Sequence, residues 1–241
     1  MKLKDMLRQG PLDKEPTYDP YIIAEAGVNH EGSIDSAIRL IDEAAAGGAN
    51  AIKFQTYKAH NLASKDSPAY WDTDKEPTES QFKLFQKYDS FWEDEFKTLK
   101  SHCDEVDIEF LSTPFDLDAA KFLDNLMSVY KISSSDITNR PFIEGICEFG
   151  KPIVLSTGAS NHHEIRKALK WIDNYKVPVA LLHCVLNYPT DDKDANLGMI
   201  GDLKKTYPDR IVGYSDHTLP GNLDNLVTAC FLGALVIEKH F

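Results

Sequence analysis

Eight short runs of β-branched and apolar residues recur along this chain, separated by longer stretches with helical periodicity, and no other feature restricts the fold as strongly. The runs are Tyr21–Gly27, Ala51–Tyr57, Ile108–Phe115, Val129–Ser135, Pro152–Gly158, Val179–Val185, Ile211–His217 and Leu235–Phe241. Each begins as a nearly continuous apolar stretch, as in a strand buried on both faces of a parallel sheet, and finishes in polar residues. The intervening segments carry helix signals. Ser33 opens a segment with Ala37, Leu40, Ile41 and Ala44 on one stripe, and Gly47-Gly48 closes it. Asn161 to about Tyr175 repeats the pattern with Ile165, Ala168, Leu169 and Ile172, and Pro141–Phe149 and Asp118–Met127 are shorter versions.

Eight strands alternating with helices predict an α/β chain folded as a (β/α)8 TIM barrel, with a doubly wound open sheet as the alternative. No G-x-G-x-x-G turn follows the first strand, which argues against a dinucleotide-binding open sheet. The 241 residues fit one such barrel over 21–241, preceded by an amino-terminal extension over 1–20. Residues 58–89 read as a long Pro-, Asp- and Ser-rich loop, and Tyr70 and Trp71 mark it as a lid. The last run ends at Phe241 without an eighth helix, and a bare strand exposes apolar surface, so the expectation is a piece of a longer protein or a chain that leans on a partner.

Composition narrows the class. Lys and Arg number 26 against 38 Asp and Glu, a net charge of −12 that disfavours non-specific nucleic-acid binding. No apolar run approaches the roughly 18 residues of a membrane span, and the start MKLKDMLRQG has charge where a signal peptide needs apolar residues. The expected setting is the cytoplasm. Cys103, Cys147, Cys184 and Cys230 are widely spaced and read as reduced structural thiols.

The active site of a barrel gathers at the carboxyl ends of its strands, and polar groups stand at that end of every run. Glu25, Asn29 and His30 follow the first strand; Lys53 and Gln55, Ser112, Thr113 and Asp116, Lys131 and Ser134, and Ser156 and Thr157 belong to the next four. His183, Asn187 and Tyr188 come with the sixth, Ser215, Asp216 and His217 with the seventh, and Glu238, Lys239 and His240 with the eighth. Lys53 and Lys131 each lie inside an apolar run, where an ammonium must find an anion or lose its proton. Each lysine alone could pair with a carboxylate such as Glu25. Both together, beside the hydroxyls of Thr113, Ser134, Ser156 and Ser215, favour a phosphate or carboxylate ligand, with a Schiff-base lysine as the other reading. His217 and His240 end adjacent strands, where they either share a divalent metal or bond to Asp216 and Glu238. His183 reads as structural, and His60, His102, His162 and His163 as surface residues.

AEAGVNHEG (24–32), IKFQT (52–56), STPFD (112–116), KISSSD (131–136), LSTGA (155–159), LLHC with NYPT (181–190), GYSDHT (213–218) and IEKHF (237–241) resemble, in order and spacing, the sialic acid synthase family. Members condense phosphoenolpyruvate with an N-acetylated hexosamine to a nonulosonic acid and phosphate. The resemblance implies that His217 and His240 bind manganese or magnesium. It implies that Lys53, Thr113, Lys131, Ser134, Ser156 and Ser215 hold phosphoenolpyruvate, and that Glu25, Gln55, Asn187 and Tyr188 face the sugar or the attacking water. It assigns Glu25, Lys53 and Lys131 to catalysis and implies a homodimer.

Members of the family place Asn or Ser two positions before the tyrosine of the strand-six loop; here that position is Leu186, and the asparagine is Asn187. Ser133 and Ala159 also depart from the family pattern, which bears on the choice between N-acetylmannosamine and diacetamido acceptors. Family members also carry a small antifreeze-like domain after the barrel that lends an arginine to the partner's acceptor site, and this sequence has no such region. The competing functions are a Schiff-base barrel aldolase and a truncated barrel that binds phosphoenolpyruvate without turnover.

Overall fold

The computed structural model describes residues 1–11, 19–74, 76–221 and 223–241. All eight strands form within the expected bounds: β1 (Tyr21–Gly27), β2 (Ala51–Thr56), β3 (Glu109–Pro114), β4 (Tyr130–Ile132), β5 (Ile153–Ser156), β6 (Val179–His183), β7 (Ile211–Asp216) and β8 (Val236–His240). Every ladder is parallel, in the order β3-β2-β1-β8-β7-β6-β5-β4. β3 and β4 lie side by side at the ends of that order, so the sheet curls into a nearly closed barrel with one seam that has no ladder among the described residues. The (β/α)8 reading holds and the open sheet is excluded.

Helices α1 (Leu3–Gln9), α2 (Ile34–Ala46), α3 (Ala59–Leu62), α4 (Gln81–Tyr88), α5 (Glu93–Glu105), α6 (Leu117–Leu123), α7 (Arg140–Cys147), α8 (His162–Asp173), α9 (Gly198–Thr206) and α10 (Asp224–Phe231) supply the outer layer and the connections. Their starts follow from local chemistry. Ser33 Oγ accepts from the Ser36 amide at 3.2 Å to open α2, and Asn161 and Glu164 form a reciprocal capping box on α8. The predicted stripe of α8, Ile165, Ala168, Leu169 and Ile172, is buried throughout. α6 stops at Leu123, short of the expected Met127. Asp116, grouped with the strand-end candidates, serves as its N-cap and accepts from the Ala119 amide at 2.7 Å.

The connection over 58–89 is less of a loop than its composition suggests. Ser80 caps α4 within it, and Phe85 of α4 meets Tyr57, which in turn stands edge-on to Phe115. Trp71 donates to the carbonyls of Glu76 and Thr78, so the indole ties the segment to itself.

The floor of the barrel is sealed by the amino terminus. α1 buries Leu3, Met6 and Leu7. Glu109, at the start of β3, accepts from the Leu3 amide at 3.1 Å, from Tyr21 Oη at 2.7 Å and from Ser128 Oγ at 2.8 Å. Three donors offset the cost of burying that carboxylate. The described part of the extension is thus a plug, while residues 12–18 of the expected extension lie outside the described residues. No helix among the described residues is long and apolar enough to cross a membrane.

Strands β7 and β8 approach closely because Gly213 has no side chain. A Cβ there would come within 2.3 Å of the Val236 carbonyl oxygen and 2.5 Å of Leu182 Cδ2. Gly201, on α9, has open space around it. Gly213→Ala should therefore cost about 1–3 kcal/mol or more by overpacking, whereas Gly201→Ala should gain about 0.5–1 kcal/mol from helix propensity. Urea unfolding of both variants checks the contrast, and equal effects would contradict it.

Candidate active site

Alternation along each strand decides which polar groups share the barrel mouth. Register pairs Glu25 with Lys53 and with His240, Gln55 with Thr113, and Ser215 with Glu238. Ser215 and His217 share one face of β7 and its end, as Glu238 and His240 do on β8. These residues line one cavity together with Lys53, Gln55, Thr113, Phe115, Lys131, Ser133, Ser134, Ser156, Cys184, Tyr188 and Glu25.

Lys53 Nζ lies 2.5 Å from Glu25 Oε2 and 3.6 Å from Glu238 Oε2, and it donates to Thr113 Oγ1 at 3.0 Å. Lys131 Nζ donates to Ser156 Oγ at 2.7 Å and lies 3.8 Å from Glu238 Oε1. Glu238 Oε1 also accepts from Ser215 Oγ at 2.7 Å, and Gln55 Nε2 donates to Glu25 Oε1 at 3.3 Å. Glu238 Oε2 has no hydrogen-bond donor among the described residues. All four charged groups are buried.

Their protonation is mutual. Burial alone would strip the proton from Lys53, but Glu238 and Glu25 more than offset it and hold its pKa above the ordinary lysine value. Burial lowers Lys131, with Glu238 pulling the other way and Lys53 adding to the shift. Burial would raise Glu238, yet Lys131, Lys53 and the Ser215 hydroxyl hold it down to about 2. Glu25 is raised by burial and by Glu238 against the pull of Lys53. The cluster therefore contains a firmly ionised carboxylate, a second carboxylate disposed to take a proton, a lysine held in its protonated form and a second lysine disposed to give its proton up. That arrangement can bind an anion and exchange a proton beside it.

The rings of His217 and His240 are 5.2 Å apart, and Tyr188 lies over His217 at 4.1 Å. His217 Nδ1 is 2.6 Å from the Val185 carbonyl. A carbonyl only accepts, so Nδ1 carries the proton and Nε2 keeps a lone pair. Burial lowers both histidines to about 4, which leaves them neutral near pH 7. Two neutral imidazoles side by side fit two ligand positions of a divalent ion. Among the described residues no three His, Cys, Asp or Glu side chains converge as a ligand set.

Asn187 stands apart from the other candidates. Its side chain is exposed and does not line the cavity, and its backbone carbonyl accepts from Thr190 Oγ1 at 2.7 Å. Glu238 was placed from the sequence at the mouth but given no substrate or catalytic role, and Cys184 was read only as a structural thiol; strand alternation carries the signal, since Glu238 is two residues from His240 and Cys184 two from Leu182 on β6. His183 points the other way and bonds to the Ala195 carbonyl at 2.8 Å, in the structural role expected. His102 and His162 are not free surface groups: they pair with Asp42 and Asp202, tying α5 to α2 and α8 to α9.

Fold and site together define a (β/α)8 barrel whose mouth holds a buried lysine–carboxylate cluster beside a histidine pair. The sequence profile of the NeuB family matches residues 40–241, and the chain belongs to that family. It is 42% identical over 229 residues to an uncharacterized protein of Methanocaldococcus jannaschii, covering 94% of this chain and 62% of that relative. It is 40% identical over 227 residues to the N,N'-diacetyllegionaminic acid synthase of Campylobacter jejuni, covering 91% and 66%. The chain thus spans less than two thirds of the length of these relatives. The crystal structure of N-acetylneuraminic acid synthetase from Leptospira borgpetersenii in complex with citrate superposes with a TM-score of 0.81 at 36% identity, covering 93% of this chain and 73% of that one.

His30, just past β1, is buried and stacked on Phe91 at 4.1 Å, and burial lowers its pKa to about 4. Because the folded value lies below the unfolded one, its contribution to stability is complete above about pH 6.5 and is lost as pH falls from there toward 4, by at most ~3 kcal/mol. His30→Phe keeps the stacking and should flatten that share of the acid limb in urea unfolding at pH 7 and pH 4.5. An unchanged pH difference would show that His30 titrates normally.

Proposed function

We propose that this chain carries the catalytic barrel of a nonulosonic acid synthase, which condenses phosphoenolpyruvate with an N-acetylated hexosamine and releases phosphate. The observation that carries the reading is the convergence of Lys53, Lys131, Glu25 and Glu238 beside His217 and His240 in one mouth, in a member of the NeuB family. Lys53 and Lys131, with Thr113, Ser134, Ser156 and Ser215, bind the phosphate and carboxylate of phosphoenolpyruvate and offset their charge through the reaction. Gln55 and Tyr188 face the sugar, which is N-acetylmannosamine or a diacetamido analogue.

The reaction balances with the groups present. C3 of phosphoenolpyruvate forms a bond to the aldehyde carbon of the open-chain sugar as the C=O π pair moves onto the aldehyde oxygen, leaving an oxocarbenium at C2; that oxygen takes up one proton, matched by the one the adding water gives up. Water adds there, and the tetrahedral intermediate expels phosphate. Glu25, with its raised pKa, orients that water and holds or yields its proton, next to the ionised Glu238. His217 and His240 would hold a manganese or magnesium ion, which as a Lewis acid supplies polarisation of the aldehyde. The site is reached from solution in the cytoplasm, and the intact protein works as a homodimer.

One observation favours a second reading, a Schiff-base aldolase: Lys131 has a lowered pKa with Lys53 nearby. Borohydride trapping followed by mass spectrometry separates the two, because a reduced lysine adduct would overturn the synthase reading.

The primary test is phosphate release from phosphoenolpyruvate with each acceptor, with manganese and with chelator. Release that needs both an acceptor and the metal is expected. Lys53→Met should weaken phosphoenolpyruvate affinity at least tenfold, and His217→Ala should abolish metal-dependent turnover in a folded barrel. Unchanged affinity in the first would make Lys53 a purely structural partner of Glu25, and full turnover in the second would remove the metal from the reaction.

A further inference from the structure

The outward faces of β7 and β8 carry a second charge pair, a buried aspartate with a half-buried lysine, behind the histidines and separate from the lysines of the mouth. Register sets Asp216 beside Lys239, and Lys239 Nζ lies 2.8 Å from Asp216 Oδ2. Asp216 is fully buried. Its Oδ1 accepts from Tyr214 Oη at 2.8 Å and from the Thr218 amide at 3.0 Å, and its Oδ2 accepts from Thr218 Oγ1 at 2.9 Å. Lys239 also donates to the Thr218 carbonyl.

These bonds close a ring around residues 216–218, and His217 is its middle residue. The next residue after Lys239 is His240. A single ion pair thus ties down the backbone at both histidines. The segment after β6 completes the hold on His217: the His217 carbonyl accepts from the Thr190 amide at 2.9 Å, and its ring donates to the Val185 carbonyl. An apolar pair of similar size would stabilise two packed strands as well or better than a buried ion pair. What a charge pair with five directed bonds adds is a fixed geometry, and the groups fixed are the two imidazoles.

We propose that Asp216 and Lys239 are positioning residues that set the spacing and ring orientation of His217 and His240, and thereby the affinity of that pair for a divalent cation. The inference rests on the reading of the histidines as cation ligands. It assigns no contact with substrate to either residue. Supporting groups of this kind around metal-binding histidines commonly alter affinity by 10–100-fold.

The test uses the whole chain and Mn2+ alone as the probe. Binding is followed by loss of the free-ion electron paramagnetic resonance signal, and histidine ring nitrogens are followed by NMR without metal. Lys239→Met and Asp216→Asn should each weaken Mn2+ binding at least tenfold, and Thr218→Val about threefold. The ring nitrogens of His217, in a single tautomer in the parent chain, should shift toward averaged values in all three. If a charge variant fails to fold, Thr218→Val, which deletes one hydroxyl, carries the test. Folded variants with parental Mn2+ affinity and parental ring signals overturn this inference alone. A parent chain that binds no Mn2+ overturns the cation reading and this inference with it.

Discussion

Two lysines, Lys53 and Lys131, can be buried at the mouth of the barrel only if carboxylates are buried with them, and the rest of the site follows from that constraint. Two ammonium groups in a poorly hydrated space repel each other and favour loss of a proton. Glu25 and Glu238 answer this from strands that adjoin in the barrel, one paired tightly with Lys53 and the other set between the two lysines. Removing one member of such a set leaves an uncompensated charge, at a typical cost of about 3–5 kcal/mol. The cluster is stable as a group, and its members are not independent. Parallel register supplies the required precision, because each group is fixed by the strand beside it and by its own alternation.

The two ends of the barrel use buried carboxylates in opposite ways. Glu109, at the floor, is met by three donors and ties the amino-terminal helix, a strand tyrosine and Ser128 into one junction. Glu238, at the mouth, keeps one oxygen without a hydrogen-bond donor among the described residues. A satisfied carboxylate holds a scaffold together, whereas a partly satisfied one retains the capacity to engage an incoming group. The Asp216–Lys239 pair is closer to the floor type. It is saturated, it faces away from the cavity, and it bears on the site only through the histidines that follow Asp216 and Lys239 in the chain.

Much of this was legible in the sequence, for physical reasons. Burial on both faces wrote the eight strands as apolar runs, and their polar ends marked the mouth because core packing gives no reason for such groups there. Lys53 and Lys131 stood out as cations within apolar runs, and the pairing of Lys53 with Glu25 was one of the outcomes weighed. Glu238 was read from the sequence as a strand-end group and a partner for the histidines; its place between the two lysines depends on β8 lying beside β1 in the closed barrel, which local pattern does not show. The side-chain direction of Asn187 was not legible, because a strand's alternation ends where the strand ends; in the loop after β6 that side chain is exposed. The plug formed by α1 was illegible, since the seven residues of that helix carry no signal of the cavity they fill. The floor depends on contacts between distant segments, such as Leu3 and Tyr21 with Glu109, which a local pattern does not encode.

That plug has a practical side. The amino terminus lies at the floor, on the face opposite the mouth, and the Leu3 amide is already committed to Glu109. A surface label, affinity tag or tether attached before Met1 would leave the approach to the lysines and histidines clear. The molecule can be anchored by its closed end with its open end facing solution.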